Sequence, residues 1–259
     1  MEVIAFNGSP RKTWNTATLL QKALDGAASQ GAATKLIHLY DLDFKGCKAC
    51  FGCKTKGGKS YGRCAVKDDL KPILKEVEKS DALILGSPIY FGAVSGEMKS
   101  FMERLMFPFY RYTTDDDPAP SLFPKKIHTG FIYTMSATEE RSKQLGYEKA
   151  IALNEMFLGK IFGKSESLLS VDTQQVDDYS KIEQNRFDPE KKAARRKEYF
   201  PQDCQKAFEM GRRFARRVRN SGIPANVDVQ FTVAPPQHFL YFVPEPQGHG
   251  SFRPTLPFR

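Results

Sequence analysis

The stretch Asp81-Ala82-Leu83-Ile84-Leu85-Gly86-Ser87-Pro88-Ile89-Tyr90-Phe91-Gly92 decides the fold. Its first half is a continuous apolar run that stops abruptly at Ser87-Pro88, the pattern of a strand buried on both faces. Such a strand belongs to a parallel sheet covered by helices, so its flanks should alternate strand and helix. Upstream, Val3 to Asn7 is a second short apolar run, ending at Gly8-Ser9-Pro10. Leu20, Leu24 and Ala27 then recur at helical spacing, with Gly31 as the stop. Lys35 to Leu39 reads as a strand, and a charged helix from about Leu70 to Lys79 tolerates Pro72 in its first turn. Downstream, Met98, Phe101, Met102 and Leu105 form one helical stripe, and Ile127 to Thr134 is a fourth strand. Ala150, Leu153, Phe157, Leu158 and Ile161 predict the next helix, and Ser167 to Thr173 a fifth strand. A last helix carries Ala207, Met210, Gly211, Phe214, Ala215 and Val218 on one face, with Arg212, Arg213, Arg216 and Arg217 mostly off it. Five buried strands alternating with helices predict a doubly wound α/β domain, strand order 2-1-3-4-5.

Hydrophobic residues at 41% and charged residues at 27% suit a soluble globular chain with a real core. The start, Met1-Glu2-Val3-Ile4, has an acidic residue and too short an apolar run for a signal peptide, and no stretch is long enough to cross a bilayer. A cytoplasmic protein is expected. The net charge of +9 permits nucleic-acid or membrane binding, but much of the excess lies between Lys191 and Arg219, as on a helix's solvated face. Neither a nucleic-acid nor a membrane partner is predicted. Residues 1–221 read as one domain, with a cysteine loop at 46–65 and a polar surface excursion at 172–201. Residues 222–259, rich in proline and aromatics (Phe239, Tyr241, Phe242, Phe252, Phe258), read as a tail packed on the domain or on a neighbouring subunit.

Two loops carry the chemistry. In an open parallel sheet, ligands sit beyond the C-terminal strand ends at the switch point, where Gly8-Ser9-Pro10-Arg11-Lys12-Thr13-Trp14-Asn15-Thr16 must lie. A helix start there offers free N–H groups to a phosphate, with Ser9, Asn15 and Thr16 as short donors and Arg11 as a cation. Neither G-x-G-x-x-G nor G-x-x-x-x-G-K-[ST] is present, so a small monophosphate fits better than a dinucleotide or a nucleoside triphosphate. The second loop follows the central strand. Pro88 stiffens it, Gly92 and Gly96 permit close backbone approach, and Tyr90 and Phe91 supply flat faces for a planar ring.

Of five cysteines, four fall in Cys47-x2-Cys50-x2-Cys53-x10-Cys64. Two-residue gaps let one turning loop aim three thiolates at a common centre. Four thiolates are the usual complement of a [4Fe–4S] cluster, while zinc or bare redox-active thiols are the alternatives. Nothing supports hydrolysis: the histidines form no constellation and G-x-S-x-G is absent.

Gly8-Ser9-Pro10-Arg11 with Asn15-Thr16, followed some eighty residues later by Gly86-Ser87-Pro88-Ile89-Tyr90-Phe91-Gly92, resembles the NAD(P)H-dependent FMN reductase and iron–sulfur flavoprotein families over about residues 1–165. The resemblance implies a flavodoxin-like fold and bound FMN. It implies that Ser9, Arg11, Asn15 and Thr16 hold the phosphate. Pro88, Ile89, Tyr90, Phe91 and Gly92 would line the isoalloxazine, with Thr134, Met135 and Ser136 as a third loop. The iron–sulfur flavoproteins carry a compact four-cysteine motif at the place of Cys47, Cys50, Cys53 and Cys64, whose last gap here is longer. The function expected is an FMN-dependent oxidoreductase, with NAD(P)H or ferredoxin as donor and a small-molecule or protein acceptor. The alternative is a non-enzymatic flavodoxin-like binding or regulatory module. The cysteine loop, the tail and the Met106-Phe107-Pro108-Phe109-Tyr110 segment offer surplus apolar surface, so a homodimer or homotetramer is predicted.

Overall fold

The computed structural model describes residues 1–114 and 121–220. Five parallel strands form the sheet: β1 (Glu2–Asn7), β2 (Ala33–His38), β3 (Ala82–Tyr90), β5 (His128–Thr134) and β6 (Ser165–Ser170). Their spatial order is β2-β1-β3-β5-β6, so the predicted order holds for the parallel strands, and the fold is a flavodoxin-like α/β sheet. A two-residue strand, β4 (Ala93–Val94), turns back antiparallel on the end of β3. The central run therefore extends through Ser87-Pro88 to Tyr90 and carries the second loop as a hairpin.

Alternation along the central strands divides the core into two layers. Ile4 and Phe6 of β1 and Leu83 and Leu85 of β3 face one side. There they pack with α2 (Leu70–Val77), α3 (Gly96–Met106) and α5 (Tyr147–Phe162), the last preceded by the short α4 (Glu139–Gln144). Val3, Ala5, Ala82 and Ile84 face the other side, against α1 (Asn15–Ala28) and α7 (Phe200–Asn220). Small residues on this second face let α1 and α7 meet backbone to backbone. A Cβ on Gly26 would lie 1.9 Å from the Phe208 carbonyl oxygen, and one on Gly211 would lie 1.7 Å from that of Ala23.

Several elements differ from the sequence reading. On α5 the buried positions are Ile151, Leu158, Ile161 and Phe162, while Ala150 and Leu153 are exposed. The helix packs edge-on, so its buried stripe is narrower than its apolar one. The fifth strand starts at Ser165 and ends at Ser170, and Val171 to Thr173 already leave the sheet. Residues 172–201 contain a helix, α6 (Pro189–Glu198), begun by the Asp188 side chain accepting from the N–H groups of Glu190 and Lys191. Phe109, counted in the apolar surplus, is buried edge-on to Phe123 and Phe162. The Val218 side chain, the acidic run Asp115-Asp116-Asp117 and the tail 222–259 lie outside the described residues.

The close α1–α7 contact makes a sharp stability test. Gly26→Ala and Gly211→Ala should each lower unfolding free energy by about 1–3 kcal/mol or more, because neither carbonyl can retreat without parting the helices. Gly159→Ala, where an added Cβ meets nothing, should be neutral or raise it by about 0.4–1 kcal/mol. Urea denaturation of the three variants separates these outcomes.

Candidate functional site

The loop after β1 is shaped by its own side chains. Asn7 accepts from the Ser9 N–H at 3.0 Å through Oδ1 and donates from Nδ2 to the Ser9 carbonyl at 3.2 Å. The same Nδ2 lies 2.9 Å from His38 Nδ1, and burial pulls the His38 pKa down. His38 is thereby accounted for as a structural neighbour of the loop. Ser9 Oγ accepts from the Arg11 N–H at 3.2 Å. Helix α1 then starts behind Trp14 with no side-chain cap and no acidic residue in its first turn. Its first intrahelical bond runs from the Thr18 N–H to the Trp14 carbonyl at 2.9 Å. The N–H groups ahead of Thr18 therefore have no helical carbonyl to reach, and no acidic side chain of the first turn competes for them. That is a fitting cradle for a phosphate.

Three loops meet at this end of the sheet. The Gly8 N–H donates to the Gly86 carbonyl at 2.8 Å, tying the first loop to β3. Ser95, which caps α3 by accepting from the Met98 N–H, donates its hydroxyl to the Gly8 carbonyl at 2.6 Å. Its own N–H donates to Ser87 Oγ at 2.9 Å. Thr16 and Thr134 share a buried hydroxyl–hydroxyl bond of 2.8 Å, which joins the third loop to the first. Ser9, Asn15, Thr16, Thr134 and Met135 are buried, Pro88, Ile89, Gly92 and Ser136 half-buried, and Arg11, Tyr90 and Phe91 exposed. Phe91 stands fully clear of the protein at the hairpin tip, in the left-handed region at φ +49°, with Gly92 beside it at φ +85°. A large aromatic held out in that conformation is the kind of local strain that accompanies ligand loops.

Sequence reasoning missed the cover over the first loop. The chain leaving β6 is held by the Thr173 N–H donating to the Met135 carbonyl at 2.9 Å. Its next carbonyl, on Gln174, accepts from Asn15 Nδ2 at 2.8 Å and Trp14 Nε1 at 3.2 Å, and Arg11 donates to the Gln175 carbonyl. From α6, Arg196 donates to Asn15 Oδ1 at 2.7 Å and lies 4.6 Å from the Trp14 ring centre, which Arg11 approaches to 5.4 Å. Lys192 anchors α6 by donating to the Ser136 carbonyl at 2.8 Å and to Asp172. The Asn15 amide is thus engaged by the cover at both its oxygen and its nitrogen. The Ser95 cap was legible as a serine ahead of a helical run. The cover was not, because backbone carbonyls make it.

The cysteine loop turns twice between its first three thiols, at Ala49 (φ +51°) and Phe51 (φ +53°). The Gly62 N–H donates to the Cys53 carbonyl at 2.9 Å and folds back the ten-residue gap before Cys64. All four cysteines line one small cavity, with Glu103, Arg104, Phe107 and Pro108 of α3 and its end. Burial pushes the Cys53 thiol up; Lys54 opposes this and the nearby Cys64 and Cys47 reinforce it. The cations Arg104 and Lys54 beside four potential thiolates suit a negatively charged centre. Among the described residues, no three His, Cys, Asp or Glu stand close enough to hold a single metal ion.

Residues 1–120 match the family model described as NADPH-dependent FMN reductase. An iron–sulfur flavoprotein of Methanocaldococcus jannaschii is 41% identical over 104 residues, covering 40% of this chain and 51% of that protein. An iron–sulfur flavoprotein of Archaeoglobus fulgidus is 36% identical over 104 residues, covering 40% of this chain and 48% of its own. The chain spans about half the length of the curated relatives it matches. Among solved structures, an NAD(P)H:quinone oxidoreductase from Methanothermobacter marburgensis aligns with TM-score 0.59 at 14% identity, over 82% of this chain and 98% of that one. An FMN-dependent NADH-azoreductase of Bacillus anthracis, in complex with FMN, aligns with TM-score 0.55 at 11% identity, over 83% of this chain and all of that one. At such identities the two structures speak for the fold alone.

Trp14, the one tryptophan of the sequence, stands at the helix start and should report on whatever binds there. FMN is expected to quench its fluorescence. Arg11→Ala and Ser9→Ala should each weaken FMN by about 1–3 kcal/mol while leaving riboflavin, which lacks the phosphate, nearly unaffected. Unchanged FMN affinity in both variants, or equal losses for the two ligands, would remove the phosphate from this loop.

Proposed function

We propose, from the match of residues 1–120 to the model described as NADPH-dependent FMN reductase, that the chain binds FMN beyond the ends of β1, β3 and β5 and works as an FMN-dependent oxidoreductase. The observation that carries this reading is the uncapped, acid-free start of α1, tied by the Gly8–Gly86 and Thr16–Thr134 bonds to the two loops a ring would need. Bound FMN supplies the redox chemistry, exchanging a hydride or single electrons. The chain's own task is placement. The α1 N–H groups, Ser9 Oγ and Arg11 hold the phosphate. Pro88 to Gly92 offer the ring an aromatic wall and backbone donors, and Thr134 to Ser136 close the third side. NAD(P)H or a ferredoxin-like protein is the donor class, and the acceptor is a small molecule or a protein.

Cys47, Cys50, Cys53 and Cys64 are proposed as ligands of a [4Fe–4S] cluster. All four line one shared cavity, which supports a common centre. Free thiols of this kind call for a reducing compartment, and the cytoplasm is the proposed location. Among the described residues no helix is long and apolar enough to cross a membrane. Exposed Phe51, Tyr90, Phe91 and Tyr112 support a homodimer or homotetramer in which a second copy covers these rings.

Anaerobic purification followed by a visible spectrum and iron and sulfide assays tests both cofactors. Flavin bands with a broad shoulder at longer wavelength are expected, with about four irons per chain. Cys64→Ser should lose most of the iron and keep the flavin. Full flavin without iron or sulfide in the wild type would leave a plain flavin reductase, and no flavin at all would overturn the reading.

A further inference from the structure

The largest fully buried side chain among the described residues is a charged one, Arg104. It lies on α3 beside Phe101 and Leu105, where the helical stripe is otherwise apolar, and its side chain is 1% exposed. A guanidinium remains protonated in proteins, so it must be paired wherever it is buried. Asp68 supplies the pairing, accepting from Nη1 at 2.8 Å and Nη2 at 3.0 Å in a two-pronged contact. Two further donations go elsewhere. Nη1 donates to the Lys45 carbonyl at 2.8 Å, and Nε donates to Cys64 Sγ at 2.9 Å.

These four bonds join both ends of the cysteine segment to one helix. Lys45 comes two residues before Cys47, and Asp68 four residues after Cys64. The ten residues between Cys53 and Cys64 would otherwise leave the fourth thiol the least constrained of the set. Aspartate alone would satisfy the charge of Arg104; it gives no reason for Nε to face a sulfur. A hydrogen bond and a buried cation at a ligating sulfur stabilise the more electron-rich state of a cluster, since reduction adds negative charge beside the donor.

We infer that Arg104 is the positioning residue for the fourth cysteine, holding Cys64 toward the other three and raising the reduction potential of the cluster they bind. This rests on the [4Fe–4S] reading above. Arg104→Lys keeps a cation but loses the fork and Nε; Arg104→Gln loses the charge as well. Both are compared with wild type, all as full-length, anaerobically prepared protein, by iron and sulfide content, by flavin content and melting temperature as controls of folding, and by potentiometric titration of the cluster's electron paramagnetic resonance signal. The midpoint potential should fall in both, further in the glutamine variant. There the one-electron equilibrium should shift at least tenfold, which is about 59 mV. Asp68→Asn, which leaves Nε on the sulfur, should lower the melting temperature with a smaller change in potential, and it carries the test if the Arg104 variants fail to fold. A purely structural staple would instead lower melting temperature in all three variants and leave the potential where it was, which overturns the inference. An unchanged potential in folded, iron-replete Arg104→Lys and Arg104→Gln overturns it alone. A wild type with flavin and no iron overturns it together with the cluster reading.

Discussion

The site depends on two backbones being allowed to touch. The Gly8 N–H meets the Gly86 carbonyl at 2.8 Å, where the chain leaves β1 and passes along β3. A Cβ on Gly8 would fall 2.7 Å from Met98 Cβ, and one on Gly86 would fall 2.7 Å from Leu20 Cδ1. The first neighbour belongs to α3 and the second to α1. The two glycines therefore set how closely both helices approach the sheet, one on each face, as well as how closely the two loops approach each other. Ser95 rests on the same contact, because the carbonyl that accepts its hydroxyl belongs to Gly8.

The fold was legible because its driving force is periodic. Apolar runs in β1, β3 and β5 have to be covered on both faces, and the helical stripes of α1, α3 and α7 cover them. Where packing is oblique or polar, the same signal fails. Leu153 is apolar and 41% exposed, because the buried positions of α5 are Ile151, Leu158, Ile161 and Phe162. The stretch from Asp172 onward has no apolar period, yet Thr173 and Gln174 are buried. Its contacts are carbonyls taking hydrogen bonds from Asn15 and Trp14, and every residue carries the same carbonyl whatever its side chain. The positions of Ser9, Asn15 and Thr16 could be read from the loop's place in the sheet. What lies over them could not.

Charge explains why that cover is polar. The start of α1 is electropositive by its dipole, and Arg11 adds to it. An apolar lid there would leave Trp14 Nε1 and the Asn15 amide without partners at a desolvation cost of about 1–3 kcal/mol each. The Gln174 carbonyl meets both donors, and the Trp14 ring takes both guanidiniums close by, Arg196 at 4.6 Å and Arg11 at 5.4 Å from its centre. The basic run that includes Arg196 is therefore more than a solvated helix face.

The cysteine loop shows the converse. Its spacing announced a common centre, but the long gap before Cys64 left open what would bring the fourth thiol home. The answer lay in a residue type out of place on another element. On a helix whose inward positions are Met98, Phe101, Met102 and Leu105, position 104 is three residues after Phe101 and adjoins the same face. A cation there is either solvated at the stripe's edge or buried with partners. The sequence could not choose between those, because the partners Asp68, Lys45 and Cys64 are thirty-six to fifty-nine residues away. Long-range pairing of a single buried charge leaves no local pattern. It becomes visible only once the helix that carries it and the loop that needs it have been packed by forces that do.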